Sequence, residues 1–378
     1  MRVLLFANTD WFLWNFKLPL ARALRAAGHE VILLSPAGEF GARLRNEGFD
    51  WRAFALSRSG IHPLEEARAM RRLLALYREV RPDLVHHFTI KCVLYGSWAA
   101  RRANVARVVN SITGLGFALL GTSLKARLIR PVVVGFYRRS LIGTQVIFQN
   151  HDNRDTLAAF GALTHASVHV IPGDGVDVEA FCPPQPRVAG ANVLMMGRLL
   201  WSKGVGVFVE AARIVRAARP NARFLLAGAP DSGNPESVPD AVLEQWRAEG
   251  VVEFLGHRSD VRELQQQADI AVLASTQGEG MPRALLEAAA CGRPMVATDV
   301  PGSRELVEDG VNGLLVPAGD AKALAQAVLA LLEAPERACA MGAAARRKVL
   351  AELSDDRIIA RTLDVYFPLA GGAGAGGA

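Results

Sequence analysis

Cysteine is scarce in this 378-residue chain: Cys92, Cys182, Cys291 and Cys339 stand far apart, with no CxxC and no Cys/His cluster. That spacing excludes a disulfide scaffold and a zinc finger and suits a reducing compartment. Long hydrophobic runs are missing too. Mean hydropathy is +0.18, yet no stretch of about 18 consecutive apolar residues occurs, so no transmembrane helix is expected. The first apolar stretch, Val3 to Ala7, is closed by Asn8, Thr9 and Asp10, which is too short for a secretory leader. Charged residues make up 21% against 51% hydrophobic, a balance that fits sizeable cores and excludes a disordered chain. At about 150 residues per domain, the length gives two domains, or three.

What charge there is lies unevenly. Residues 1–187 hold 24 basic and 14 acidic side chains, a surplus of +10, and the remainder holds 19 against 23, or −4. A basic half meets something anionic: a lipid surface, a diphosphate or nucleic acid. Arg2 to Ala7 reads as a strand, Asn8 to Trp14 as a loop, Phe16 to Ala27 as a helix ended by Gly28, and Val31 to Ser35 as the next strand. The alternation continues with a helix at Pro63–Val80, a strand at Asp83–His87, a helix at Cys92–Ala103, and strands at Ala106–Ser111 and Gln145–Gln149. Apolar strands alternating with helices predict a doubly wound parallel sheet.

From Val168 to Arg187 prolines and glycines cluster, a linker composition. A second series follows. Its strands are Asn192–Met196, Phe224–Ala227, Val252–Leu255, Ile270–Leu273 and Pro294–Thr298, and its helices start with Gly204–Ala218. The division is therefore a first Rossmann-like domain over 1–180 and a second over 188–350. A helix near 352–368 packs back on the first, and a Gly/Ala tail over 371–378 is disordered. A cleft between two such domains is the default ligand site.

Three loops of the second half carry the chemistry. Gly197 to Gly204 follows a strand and opens a helix; Arg198 and Lys203 beside free backbone N–H groups suit a diphosphate. In Glu279-Gly280-Met281-Pro282-Arg283-Ala284-Leu285-Leu286-Glu287, Pro282 stands where a helix begins. Two carboxylates, Glu279 and Glu287, suit bidentate contacts to sugar or ribose diols. Phe254 to Val261 ends a strand at Gly256 and presents His257 and Arg258 in a loop that Ser259 or Asp260 caps. The plainer readings are solvated cations in a strand–helix loop, carboxylates serving a helix dipole or an Arg, and a capped turn.

Taken in order, Gly-Arg-x(4)-Lys-Gly, Phe-x-Gly and Glu-Gly-x-Pro-x(4)-Glu-Ala resemble the retaining family 4 glycosyltransferases of GT-B fold. Gly302 to Val307 and Asn312 to Val316 extend the likeness. Val85 to Lys91 and Thr113 to Gly116 resemble the bacterial enzymes that extend undecaprenyl-diphospho-sugars in capsule, O-antigen and glycan assembly. The resemblance implies two Rossmann-like domains facing across a cleft and a metal-independent transfer from a UDP-sugar. It makes Arg198 and Lys203 the diphosphate ligands, Glu287 the ribose ligand and Glu279 the contact to the donor sugar. Gly197, Gly280, Met281, Pro282 and Leu286 then line the donor pocket, and the loop at His257 and Arg258 receives the uracil. The family's strand-end histidine corresponds to His86 or His87, left open because Phe88 replaces a second His. It gives Asn15, Lys17, Lys91, Thr113 and Gly114 to the acceptor. No DxD occurs, so metal and cofactor are expected to be none.

The first loop, Asn8 to Lys17, has aromatic bulk where the family has glycines, which points to a lipid-linked acceptor; a buried helix-start staple is the plainer account. Ser123 to Ser140 sets Lys125, Arg127, Arg130, Arg138 and Arg139 among Leu128, Ile129, Val132 to Val134, Phe136 and Tyr137. Helix Pro63–Val80 adds Arg68, Arg71, Arg72 and Arg78. This pattern suits peripheral attachment to an anionic membrane on the cytoplasmic face, or a buried helix with snorkelling arginines. A nucleotide-sugar epimerase or hydrolase of the same fold, and a transferase using a soluble acceptor, remain as alternatives. A basic nucleic-acid module leaves Glu279 and Glu287 unexplained, so no nucleic acid is expected as partner.

Overall fold

The computed structural model describes residues 1–56, 62–115, 119, 124–184 and 190–368, without the side chains of 63 and 124–126. The tail 371–378, Gly116, Ser123, Pro186 and the Lys125 side chain lie outside the described residues. Contacts divide the chain into two units, Met1–Asp174 together with Ile358 onward, and Gly175–Arg357.

The first unit is a parallel sheet of β1 (Arg2–Phe6), β2 (Glu30–Ser35), β3 (Asp50–Ala53), β4 (Leu84–Phe88), β5 (Arg107–Ile112), β6 (Gln145–Phe148) and β7 (Ser167–Val170), in the order β3-β2-β1-β4-β5-β6-β7. Leu4 stands opposite Ile32 on one side and Val85 on the other. The second has β8 (Asn192–Met196), β9 (Arg223–Ala227), β10 (Glu253–Gly256), β11 (Ile270–Leu273), β12 (Met295–Thr298) and β13 (Gly313–Val316), in the order β10-β9-β8-β11-β12-β13. Helices connect the strands, as parallel pairing demands. Central strands covered on both faces are mostly apolar, which is why the sequence shows them. The strands that periodicity misses, β3, β7 and β13, are all short edges, where no continuous apolar run is needed. β7 takes up the first residues, Val168 to Val170, of the stretch that its composition assigns to a linker.

The aromatic segment read as a loop, Asn8 to Trp14, is helical from Asp10. Helix starts at Asp10, passes through a π-helical turn at Leu13–Lys17 and continues as Leu18–Ala26. Thr9 Oγ1 accepts from Phe12 N at 3.1 Å and caps the start. The buried Asp10 carboxylate accepts from Phe40 N and Gly41 N, both at 2.8 Å. The cap is local, whereas the bonds to Phe40 and Gly41 come from 30 and 31 positions away and no local pattern carries them.

Residues after Asp174 belong with the second unit. Arg346 donates to the carbonyls of Phe181 and Val178 at 2.8 and 2.9 Å, and Val176 bridges Ser354. The last helix, Asp355–Tyr366, joins the first unit from Ile358, and Tyr366 Oη meets His86 Nδ1 at 2.5 Å.

Candidate functional site

An open α/β sheet binds ligands outside the carboxyl ends of its strands, where the strand order reverses. In the second unit the chain runs outward from β8 to β9 and β10, then returns to β11 beside β8. The loops after β8 and β11 therefore flank the switch point, and they hold Gly197 to Gly204 and Glu279 to Pro282.

Two glycines let these loops close. Gly204 has φ +74° and a Cβ there would overlap the carbonyl oxygen of Ala274. Gly302 has φ +88° and its Cβ would strike the carbonyls of Gly280 and Glu279. Only glycine meets both demands. The loops are then tied by Thr276 N to Ser202 O and Glu279 N to Pro301 O, each at 2.9 Å.

This backbone brings Lys203 and Glu279, 76 positions apart in the chain, into an ion pair. Ser275 Oγ also donates to Glu279 Oε1, at 2.7 Å. Arg198 Nη1 pairs with Asp231 Oδ2 at 2.6 Å. Asp231 lies in the loop after β9, a turn-rich segment that sequence patterning passes over. Glu287 is buried in the helix Arg283–Ala290, and Arg283 Nε donates to its Oε1 at 2.7 Å. Burial raises the Glu287 carboxyl above its usual range, and Arg283 opposes the rise. Gly280 and Met281 are half-buried, Pro282 is buried, and Leu286 is in the core. His257 and Arg258 are exposed after β10, with Arg258 Nε on Asp260 Oδ1 at 2.7 Å. Among the described residues no group of three or more His, Cys, Asp or Glu comes together as a metal site.

The first unit treats its candidates differently. β4 lies between β1 and β5, so both faces are covered and neither histidine reaches the surface. His87 is fully buried: its Nδ1 lies 2.8 Å from Asn110 Oδ1, and Tyr77 Oη lies 3.0 Å from its Nε2. Asn110 Oδ1 accepts, so Nδ1 carries the proton and Tyr77 donates. Burial lowers the imidazole to about 4. His86 is held by Tyr366 and by Ser111 Oγ at 2.7 Å, and burial, followed by the Lys17 charge, keeps it neutral. It borders a cavity of about 20 Å³, room for roughly one water and none for a sugar. Both imidazoles are thus held by neighbours within their own unit. Lys17 is likewise buried, in an ion pair with Asp174, with its Nζ 4.4 Å from the Phe88 ring centre.

Asn15 is exposed and donates to Trp11 O at 2.9 Å. Lys91 pairs with Glu66 at 2.7 Å, and Thr113 and Gly114 are half-buried just after β5. These follow the carboxyl ends of β1, β4 and β5. Along the helix Leu124–Leu141, Leu128, Val132 and Phe136 are 70%, 59% and 57% exposed, with Arg127, Arg138 and Arg139 exposed beside them. No helix among the described residues is long and apolar enough to cross a membrane.

Comparison with known proteins bears on both units. Residues 190–334 match the family described as Glycosyl transferases group 1, and residues 2–150 that described as Glycosyl transferase 4-like. The N,N'-diacetylbacillosaminyl-diphospho-undecaprenol alpha-1,3-N-acetylgalactosaminyltransferase of Campylobacter jejuni is 29% identical over 347 residues, 88% of this chain and 90% of its own. The GDP-mannose-dependent monoacylated alpha-(1-6)-phosphatidylinositol monomannoside mannosyltransferase of Corynebacterium glutamicum is 32% identical over 281 residues, 68% of each chain. Among solved structures, Anabaena HepE in complex with UDP matches with a TM-score of 0.77 at 21% identity, over 97% of this chain and 99% of HepE. The two doubly wound sheets are those of the GT-B fold.

Proposed function

Because the chain belongs to the group 1, glycosyl transferase 4-like family of glycosyltransferases, we propose that it moves a hexose or N-acetylhexosamine from a UDP-sugar to a sugar on undecaprenyl diphosphate. The transfer retains anomeric configuration, needs no metal ion, and serves bacterial surface polysaccharide or glycan assembly. The observation that carries this reading is the Lys203–Glu279–Ser275 set, with Arg198 on the same loop, at the second domain's switch point. The Campylobacter relative, whose name places its acceptor on diphospho-undecaprenol, and the UDP in HepE support the choice of substrates.

In the reaction, the bond from the anomeric carbon to the β-phosphate oxygen breaks. The acceptor hydroxyl oxygen bonds to that carbon on the same face, and its proton passes to the departing diphosphate. Lys203 and Arg198 stabilise the charge that develops on the phosphate oxygens. Donor binding exchanges partners: phosphate takes Lys203, and Glu279, held by Ser275, accepts from sugar hydroxyls. Glu287 accepts from the ribose, and the loop at His257 and Arg258 takes the uracil. Gly197, Gly280, Met281 and Pro282 line the pocket, with Leu286 packing beneath. On the first domain, Asn15, Lys91, Thr113 and Gly114 meet the acceptor, with Lys91 leaving Glu66 for its diphosphate. The exposed stripe Leu128, Val132 and Phe136 with Arg127 and Arg139 rests on anionic lipid, a peripheral placement on the inner face of the plasma membrane.

Calorimetry and thermal shift with UDP, GDP, ADP, UDP-N-acetylglucosamine and UDP-N-acetylgalactosamine test the donor site. The UDP compounds bind, and the binding is lost in Glu287→Ala. No binding by any nucleotide overturns the reading.

A further inference from the structure

The resemblance assigns Arg198 to the donor but leaves the loop after β9 without a role, and that loop is built around Arg198. Leu199 N donates to Ala229 O at 3.0 Å, Trp201 N to Glu236 O at 2.8 Å, and Val238 N to Leu199 O at 2.9 Å. The segments 199–201 and 229–238 are thus laced together on both sides of the arginine. Inside the loop, Asp231 is fixed in turn. Its Oδ2 accepts from Asn234 Nδ2 at 3.0 Å, and its own N donates to Ser237 Oγ at 3.2 Å. Asn234 N donates to Asp231 O at 3.0 Å, and Ser237 N to Asn234 O at 2.9 Å.

From this frame Asp231 Oδ2 takes only the Nη1 corner of the Arg198 guanidinium, at 2.6 Å. Among the described residues Nε and Nη2 make no hydrogen bond. That edge is the planar, two-donor fork that matches a pair of phosphate oxygens. The Arg198 side chain is 55% exposed, and an exposed arginine left to itself spreads over many rotamers, which binding must then freeze. We propose that Asp231 is a positioning residue: it holds Arg198 by one corner so that the open fork is ready for the nucleoside diphosphate. This rests on the donor site argued above and adds the element that aims it. The carboxylate contributes by order rather than by charge, since its own sign opposes the phosphate.

A double-mutant cycle read by UDP calorimetry tests the idea. Asp231→Ala weakens UDP binding about fivefold in the wild-type background, the scale of one well-formed charge-assisted contact. Asp231→Asn keeps an acceptor at the same place and recovers part of the loss. In an Arg198→Ala background Asp231→Ala changes the affinity less than about twofold, because its effect runs through the arginine. Equal losses in both backgrounds mean that Asp231 only shapes the loop and overturn the proposal; so does unchanged or tighter binding in the single variant. A wild-type protein that binds no UDP refutes the donor site itself, a separate result. Melting temperatures of all variants show whether the fold is intact.

Discussion

In the second domain the strand order reverses between β8 and β11, and there Lys203, Glu279 and Ser275 form a polar set on loops that glycines bring together. In the first it reverses between β1 and β4, and just inside that point stand His86, His87 and the Lys17–Asp174 pair, all in the interior. One topology thus supports two uses of polar residues. In the second domain they hold one another in loops, with Lys203 and Glu279 half-buried and the Arg198 side chain 55% exposed. In the first they satisfy one another inside the core, where an unmade hydrogen bond is expensive. The fold does not distinguish the two; the loops and the strand-end side chains do.

The sharpest break in this comparison comes from Lys203→Ala. Turnover, followed as UDP release dependent on added acceptor, should fall by about two to three orders of magnitude, because a preorganised cation on the leaving group is removed. The melting temperature should barely move. Unchanged turnover removes the diphosphate assignment. His87→Ala should do the reverse. It strands Tyr77 and Asn110 in the core and costs about 3 kcal/mol or more in chemical denaturation, while the affinity of folded protein for UDP stays as it was.

The same histidine gives a pH test. Burial holds it at about 4, whereas the unfolded chain titrates near 6.5. Between those values the unfolded state binds more protons, so stability drops as pH falls from about 6.5 towards 4. A His87→Phe variant should flatten that part of the denaturation profile, and a slope equal to wild type there would show that His87 does not carry it.

Glu287 sharpens the contrast from the other side. Its folded carboxyl is raised by burial, so the folded state takes its proton first. The cost of burying the charge is fully present above the folded value and fades as pH falls towards the ordinary carboxylate range. Glu287→Gln should lose donor affinity by about tenfold, the scale of a lost charged hydrogen bond, yet melt no lower than wild type at neutral pH. Calorimetry beside thermal denaturation separates the two. The smallest effect belongs to the exposed stripe: Leu128→Asp or Phe136→Asp should weaken flotation with phosphatidylglycerol vesicles by about fivefold, the scale of one apolar side chain buried in lipid. Equal binding to neutral vesicles would argue against an anionic surface.

Much of the second domain was legible because its signals are local. Apolar runs mark the central strands, Gly197 and Gly204 punctuate the loop, and Glu279 and Glu287 bracket a helix start. Ser275 and Asp231 were not legible as partners, whereas Arg283 stands at i, i+4 to Glu287, the plainer reading of that carboxylate. A serine after a strand and an aspartate in a turn are ordinary in sequence: Ser275 reaches Glu279 only through the fold of its own loop, and Asp231 meets Arg198 from 33 positions away. The histidines show the opposite failure. Two adjacent polar residues at a strand end suggest a site, but β4 is central, so consecutive side chains point into two covered faces.

The sequence by itself determined two α/β domains, the family, and which loops carry charge, because periodicity, glycine placement and motif spacing act over a few residues. Tertiary structure alone decided that the Asp10 carboxylate meets Phe40 and Gly41, that both histidines and Lys17 are interior, and that Lys203 meets Glu279 and Arg198 meets Asp231. Those outcomes depend on sheet order and on backbone approach between segments remote in the chain, and no local pattern encodes either.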